Sequence, residues 1–295
     1  MLMLEHLAEL AAAHADALPA QVAAFDLNGR RFDGNARPEL MGVINLSADS
    51  WYRESVCLSP DAAIRRGHVL AAQGAAIVDI GAESSLAYAA RADEAVQNSK
   101  LLPVVKELAS AGILVSVETY QPAVTRACLE GGAKILNLTG TDRSAEMFRM
   151  VADHDAAVIL CHVQGANVRA VADFDFGADP TVMMQDFFAR QIDLATKHGV
   201  RKLWIDPGLG FYYRNLGDSA TRIRHQMRVF LNTFRLRTLG WPVCHALPHA
   251  FECFGDEVRC AEPFFAVLAA LGKTDLFRTH ELPRTKAVLD TLRIG

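Results

Sequence analysis

The chain has 295 residues, enough for one large α/β domain or two small ones, and a composition of 51% hydrophobic and 22% charged residues that is ordinary for globular proteins. Its net charge of -4 gives no support to a nucleic-acid partner or to a membrane-surface role, since the chain has no basic stripe to which a nucleic acid or a membrane surface would bind. No apolar run reaches the ~18 residues of a membrane span, and acidic residues interrupt the place where a signal peptide would be apolar. Six scattered cysteines favour a reducing cytoplasm over a disulfide framework.

The first 38 residues differ in pattern from the rest of the chain. An Ala- and Leu-rich stretch from Leu2 to Leu18 has helical spacing, and Pro19 would end the helix. The stretch from Phe25 to Arg37 is polar and turn-like. We therefore expect residues 1–38 to form an N-terminal extension packed on the outside, and residues 39–295 to form the main domain.

From residue 39 onward, eight short apolar runs alternate with amphipathic helices. The predicted strands are 40–45, 75–81, 113–119, 134–139, 157–162, 202–206, 241–247 and 275–280. The predicted helices are about 59–73, 93–109, 121–129, 144–153, 181–198, 218–238, 257–271 and 283–292. Continuously apolar strands are buried on both faces, as in a parallel sheet. Eight such units predict an α/β fold, a (β/α)8 TIM barrel. The rival, a doubly wound sheet, needs a Gly-x-Gly-x-x-Gly turn that is absent.

Polar residues stand at the ends of the predicted strands, and in a barrel these ends share one mouth. They are Asn45, Asp79, Glu83, Glu118, Asn137, His162, Asp206, Arg278 and His280. Glu118, Asn137 and Asp206 suit a flat heterocycle with N–H donors, because ionised carboxylates only accept hydrogen bonds. Asn45, Arg278 and His280 suit a phosphate or pyrophosphate.

Each of these residues also has a structural interpretation. A single Asp or Asn at a strand end is what a turn or a helix N-cap requires. His162 is equally compatible with a core histidine, and Asp79, within its strand, with a structural hydrogen bond. The functional interpretation therefore depends on the convergence of several residues.

Seven motifs, in order along the chain, resemble those of the dihydropteroate synthase family. They are Met41–Ser50, Ile77–Ser85, Ser116–Thr119, Ile135–Asn137, His162–Gly165, Asp206–Phe211 and Arg278–His280. The resemblance implies a (β/α)8 barrel, usually dimeric, that joins an arylamine to dihydropterin methyl pyrophosphate and releases pyrophosphate with Mg2+. Its partners would be these small molecules and a second copy of the chain.

Roles for individual residues follow from the same resemblance. It implies that Glu118, Asn137 and Asp206 hold the pterin ring. Asn45, Arg278 and His280 would form the catalytic set around the pyrophosphate, with Asn45 on Mg2+. Ser85 and Phe211 would lie on the arylamine side.

The chain also departs from the family pattern. Leu247-Pro248-His249 stands where the family has Ser-Arg-Lys, and Ser85-Leu86-Ala87 where it has Thr-Arg-Pro. Two cations near the leaving group are therefore missing, and Arg53, His245 and His249 are the candidates to replace them. Three functions stay open: condensation with p-aminobenzoate, condensation with a bulkier ribosylated aniline as in methanopterin-type synthesis, and pterin binding without catalysis. A pterin-dependent methyltransferase is a fourth alternative.

A group of cysteines and histidines lies on or after the seventh predicted strand. Cys244, His245, His249, Cys253 and Cys260 are near enough in sequence to suggest a structural metal. Their spacing matches neither Cys-x2-Cys nor His-Glu-x-x-His. Small core residues are the alternative use for such cysteines.

Overall fold

Ten strands and eleven helices are assigned in the computed structural model, which describes residues 1–50, 52–84, 89–211 and 213–294. The strands are β1 (Phe25–Leu27), β2 (Arg30–Phe32), β3 (Glu39–Asn45), β4 (Ile77–Gly81), β5 (Val115–Thr119), β6 (Ile135–Leu138), β7 (Ala157–Cys161), β8 (Leu203–Asp206), β9 (Cys244–Ala246) and β10 (Leu276–Thr279). The helices are α1 (Leu4–Ala13), α2 (Pro60–Ala72), α3 (Glu94–Ser110), α4 (Pro122–Glu130), α5 (Ser144–Asp153), α6 (Pro180–Lys197), α7 (Ser219–Leu231), α8 (Thr233–Leu236), α9 (Phe251–Phe254), α10 (Ala261–Leu271) and α11 (Leu282–Leu292).

Strands β3 to β10 form one parallel barrel. Neighbours pair in the order β8, β7, β6, β5, β4, β3, β10, β9. A parallel bridge between Ile205 and Val243 joins the two outer strands, and the Ile205 amide donates to the Pro242 carbonyl at 3.0 Å. The sheet is thereby closed, which confirms the predicted (β/α)8 barrel. All eight strands leave their carboxyl ends on the same rim.

Three predicted helices are shorter or broken in the structure. The helix expected from Leu2 to Leu18 spans only Leu4–Ala13, as α1. The helix expected over 218–238 is divided at Asn232 into α7 and α8. The Asn232 side chain donates to the Arg228 carbonyl at 2.9 Å, and such local bonds compete with the helical pattern. The helix expected from 257 begins only at Ala261, after a 3-10 segment that starts at Gly255 with φ +52°. No described helix is long and apolar enough to cross a membrane.

Predicted helix starts agree well with the structure where a cap residue marks them. Ser59 caps α2 by accepting from the Ala62 amide at 3.2 Å, and Pro60 occupies the first turn. Asp93, Asp179 and Asp218 cap α3, α6 and α7 in the same manner. Short polar side chains at these positions satisfy amides that have no partner inside the helix.

Residues 25–32 form a β-hairpin, β1 and β2, which the sequence analysis did not predict. Its side chains Phe25, Leu27 and Phe32 are buried at the amino-terminal end of the barrel, in one cluster with Trp204. The Phe25 and Phe32 rings meet the Trp204 ring edge-on, at centroid distances of 4.7 and 5.2 Å. The hairpin therefore covers the barrel end opposite the rim on which the strands finish.

This packing predicts that the hairpin contributes to the stability of the barrel. Leu27 is 1% exposed, so Leu27→Ala should lower the free energy of unfolding by about 2–5 kcal/mol through lost burial and a residual cavity. The same substitution at Leu58, which is 76% exposed, should change it by less than about 0.5 kcal/mol. Urea unfolding of both variants measures the difference. Equal losses would contradict the described packing.

Candidate active site

A pocket opens at the rim formed by the carboxyl ends of the barrel strands. Seven of the eight residues to which the resemblance gives a role line it, namely Asn45, Glu118, Asn137, Asp206, Phe211, Arg278 and His280, and Glu83 from the strand-end set lines it as well. The eighth, Ser85, lies outside the described residues. The residues come from five strands and the loops that follow them, which only the closed barrel brings together.

The floor of the pocket is an ion-pair network of Arg278, Asp79 and Glu118. The Arg278 Nε donates to Asp79 Oδ2 at 2.7 Å, and its Nη2 donates to Glu118 Oε2 at 2.5 Å. Asp79 is completely buried and also accepts from the Ser116 hydroxyl at 2.6 Å and from the Asn137 amide at 3.2 Å. The structural interpretation of Asp79 is therefore right. Arg278, grouped from the sequence with the anion-facing set, lies instead among the acidic residues.

Asn137 has its amide orientation fixed by two neighbours. Its nitrogen donates to Asp79, while its oxygen accepts from the Cys161 thiol at 3.2 Å. Burial raises the pKa of that thiol well above its usual value, so Cys161 remains a donor at neutral pH. A side chain held from both ends presents the same edge to any ligand in the pocket.

Asp206 is held by the turn that follows β8. The Gly208 amide donates to Asp206 Oδ1 at 2.7 Å. Gly208 has φ +75°, and a Cβ atom there would lie 2.3 Å from the His162 carbonyl oxygen. Only glycine fits this turn without moving the backbone, and the Asp-Pro-Gly sequence is thereby explained.

Two carboxyl groups of the pocket have raised pKa values. Burial raises the pKa of Glu118 to about 7, against the opposing attraction of Arg278. Burial also raises the pKa of Asp206 to about 6, against the bond from Gly208. Both groups therefore titrate near neutral pH, and perturbed carboxyls that converge in a cleft are typical of functional sites.

Another part of the pocket lining contains Asn45, His249 and His280. The Asn45 nitrogen donates to the Ser55 hydroxyl at 2.7 Å, which makes its oxygen the atom available for a ligand. His280 Nδ1 lies 2.6 Å from Glu262 Oε1. The Tyr52 ring stacks on His249 and on His280, with centroids 4.8 Å apart in each case.

The three candidates to replace the missing cations have different outcomes. Arg53 donates to the Ala48 carbonyl and does not line the pocket. His245 is completely buried beside Thr233, and burial lowers its pKa to about 3. His249 does line the pocket, but burial, together with nearby His280, lowers its pKa to about 4. Neither histidine brings a charge at neutral pH.

The structure decides two questions that the sequence left open. His162, expected at the shared mouth, is 3% exposed and packs edge-on against Phe187 at 4.8 Å, so it is a core histidine. The Cys/His group is dispersed: Cys244 is buried in the barrel, whereas Cys253 and Cys260 are exposed. Among the described residues, only His249 of that group belongs to a possible ligand cluster.

Three residues on helices around the pocket were missed by the sequence analysis. Arg222 and Gln226 reach the pocket from α7, and Glu262 lies behind it on α10. All three stand on helices, so a search of strand ends could not find them. A signal existed for Glu262, because it is an acidic residue that begins an otherwise apolar helix. Arg222 contacts both carboxylate oxygens of Glu252 at 2.7 Å.

Comparison with known proteins identifies the family. The model of the pterin binding enzyme family matches residues 41–246. Dihydropteroate synthase of Mycobacterium leprae is 36% identical over 265 residues, covering 87% of this chain and 92% of that protein. Dihydropteroate synthase of Xanthomonas albilineans with 4-aminobenzoic acid is 26% identical, with a TM-score of 0.76 over 93% of this chain and 98% of that chain. The same enzyme with 7,8-dihydropteroate is 25% identical, with a TM-score of 0.71 over 92% and 97%. The chain therefore belongs to the dihydropteroate synthase family of pterin-binding enzymes.

Proposed function

We propose that the protein is a transferase that condenses dihydropterin methyl pyrophosphate with an arylamine and releases pyrophosphate. The observation that carries the proposal is the convergence of Glu118, Asn137, Asp206 and Arg278 in one pocket of a family member. In the reaction, the amine nitrogen forms a bond to the methylene carbon while the bond from that carbon to the pyrophosphate oxygen breaks. The amine then loses a proton.

The pterin ring is proposed to bind between Glu118, Asn137 and Asp206. A pterin presents N–H and amino donors on one edge, and carboxylates and an amide oxygen are the acceptors that match them. Charge-assisted hydrogen bonds of this kind are about twice as strong as neutral ones. The fixed amide of Asn137 and the fixed carboxylate of Asp206 favour one ring orientation.

The pyrophosphate is proposed to lie toward Asn45, Arg278 and His280. Arg278 is largely buried, with 14% of its side chain exposed, and the attraction of Asp79 and Glu118 outweighs burial and keeps its pKa above the ordinary value. Its charge is permanent, yet it is shared with two carboxylates. We propose that Arg278 positions Glu118 as well as contacting the leaving group.

The Asn45 side-chain oxygen is a suitable ligand for magnesium at this end of the pocket. Mg2+ prefers oxygen ligands, usually one or two from the protein together with substrate phosphates and water. The Asn45 amide oxygen is such a ligand, since the nitrogen is engaged with Ser55. Bound there, Mg2+ would offset the negative charge that develops on the leaving pyrophosphate.

The arylamine is proposed to enter beside Phe211, which is partly exposed at the mouth of the pocket. Relatives bind 4-aminobenzoic acid, so p-aminobenzoate is the first acceptor to test. Arg222 lines the same pocket and would reach a carboxylate or phosphate on the acceptor if its pair with Glu252 opened. A ribosylated aniline phosphate is therefore the second acceptor to test.

A homodimer is the proposed assembly, as expected from the family. On α10, Phe264 and Leu271 stand seven residues apart and are 43% and 55% exposed. Residues at this spacing lie on one side of a helix, and the two side chains offer apolar surface that a second copy would cover.

The transferase activity predicts pyrophosphate release from dihydropterin methyl pyrophosphate when Mg2+ and p-aminobenzoate are present. Arg278→Lys should lower kcat/KM by about 100- to 1000-fold, because removing one hydrogen-bond donor that is positioned for the transition state typically lowers the rate by that factor. The matched control is Arg201→Lys, which makes the same change at an exposed arginine at the opposite end of the barrel. Parallel reactions with ribosylated aniline phosphate identify the acceptor. No release with either amine, together with intact pterin binding, would contradict the proposal.

The raised pKa values predict a pH dependence of pterin affinity. The donors of the ring need ionised partners, so affinity should be constant above about pH 8 and fall as Glu118 and Asp206, with pKa values of about 7 and 6, become protonated. Each group should reduce affinity about tenfold per pH unit below its pKa. Pterin affinity is measured by calorimetry across this pH range. The Glu118→Gln variant should no longer show the change in affinity near pH 7, whereas Glu107→Gln, at an exposed position on α3, should still show it. An affinity that rises on acidification would exclude these roles.

A further inference from the structure

We propose that His249, Glu262 and His280 form a binding site for a transition-metal dication of the zinc class at the edge of the pocket. One ligand atom from each residue lies within 4.8 Å of the others. Glu262 Oε1 is 2.6 Å from His280 Nδ1 and 3.7 Å from His249 Nδ1. Ligand atoms around a tetrahedral zinc ion are ~3.3 Å apart, for bonds of about 2.0–2.1 Å. The two separations bracket that value, and side-chain rotation would have to bring the remaining pair of ligand atoms, which lies within 4.8 Å, to the same spacing.

Glu262 is oriented for this role by its second oxygen. Oε2 accepts from the His280 amide at 2.9 Å, from the Glu281 amide at 3.0 Å and from the Thr279 hydroxyl. Oε1 is consequently the oxygen that faces the two imidazoles. Glu262 is completely buried, and a buried carboxylate fixed by several donors is the usual arrangement of a metal ligand and its supporting contacts.

His249 adds an independent observation. Its Nδ1 atom is shielded from solvent and has no hydrogen-bond partner among the described residues. A buried nitrogen without a partner loses its bonds to water, which costs about 1–3 kcal/mol. A cation coordinated by this nitrogen would remove that penalty.

Tyr52 and the pocket define the two sides of the proposed site. The Tyr52 ring lies against both imidazoles, at interplanar angles of 27° and 30°. His249 and His280 also line the pocket, so a ligand in the pocket can occupy the fourth position. Three protein ligands with one open position are typical of zinc that contacts a substrate.

The ligand set distinguishes this ion from Mg2+ at Asn45. Imidazole nitrogens suit zinc, iron and cobalt, whereas Mg2+ takes oxygen ligands in octahedral geometry. Two imidazoles and one carboxylate are therefore a poor site for Mg2+. The proposed site is a separate one, at the same end of the pocket.

The function of the ion, unlike its binding, rests on the proposed transferase activity. Among the described residues that line the pocket there are two arginines and no lysine. Arg278 is paired with Asp79 and Glu118, and Arg222 is paired with Glu252. A pyrophosphate would thus meet guanidinium groups that carboxylates already neutralise in part. A dication on the His249 side would add positive charge to this part of the pocket.

The test is a metal titration of the full-length protein, without a histidine tag and after treatment with a chelator. Zn2+ is followed by calorimetry, and Co2+ by its visible ligand-field absorption, both without substrate. We expect one ion per chain, and at least about 100-fold weaker binding in His249→Ala and in Glu262→Gln. The matched control, His68→Ala, removes an exposed histidine of α2 and should bind the ion as the wild type does.

Each outcome bears on the proposal. His249→Ala removes a nitrogen without a hydrogen-bond partner, so it should fold even if Glu262→Gln does not. Absence of stoichiometric Zn2+ and Co2+ binding by the wild type, or undiminished binding by His249→Ala, would overturn the site. Pyrophosphate release with Mg2+ alone would then leave the transferase intact. Conversely, Zn2+ binding that depends on His249, without release from any amine, would support the site and contradict the transferase.

Discussion

The buried pair of Arg278 and Asp79 is the constraint on which the rest of the site depends. A single buried charge is costly, and removing one partner of such a pair typically costs about 3–5 kcal/mol. The two residues are 199 positions apart, and β3 lies between their strands in the barrel. The pair therefore spans β10, β3 and β4, and its geometry requires that these three strands be paired in this order. The chemistry at the rim and the closure of the barrel are in this sense one requirement.

Asp79 transmits this constraint to the proposed ligand contacts. Its two oxygens accept from Ser116, Asn137 and Arg278, so the Asn137 amide and the guanidinium are oriented by one carboxylate. Arg278 in turn holds Glu118. Burial nevertheless outweighs the attraction to Arg278, and the pKa of Glu118 stays at about 7. The network thus places Glu118 without forcing it to remain ionised, and a ligand that donates hydrogen bonds would favour the ionised form.

Periodicity was sufficient to predict the barrel because every strand that is buried on both faces gives a continuous apolar run. The strand-end rule then found seven residues of the pocket, since a barrel leaves no other place for such residues to meet. The rule failed for His162, whose side chain turns into the aromatic core. It could not find Glu262, which reaches the pocket wall from a helix, or the ion pairs of Arg278. The position of Glu262 and the ion pairs of Arg278 both depend on how side chains from distant elements point toward one another, which local sequence does not encode. The hairpin was missed because its strands have three residues each.

The wall of the pocket around His249 and Glu262 has a distribution of charge that does not suit an anion directly. His249 brings no fixed cation to the wall of the pocket, because burial keeps this histidine neutral. The same wall contains Glu262, a buried carboxylate that holds His280 at 2.6 Å. A neutral imidazole and an oriented carboxylate are of little direct use to an anion, since one lacks charge and the other repels it. Both can coordinate a metal ion, and a bound dication would make the charge at that position positive. The combination is therefore better explained by a cation between the protein and its anionic ligand than by the loss of a binding site.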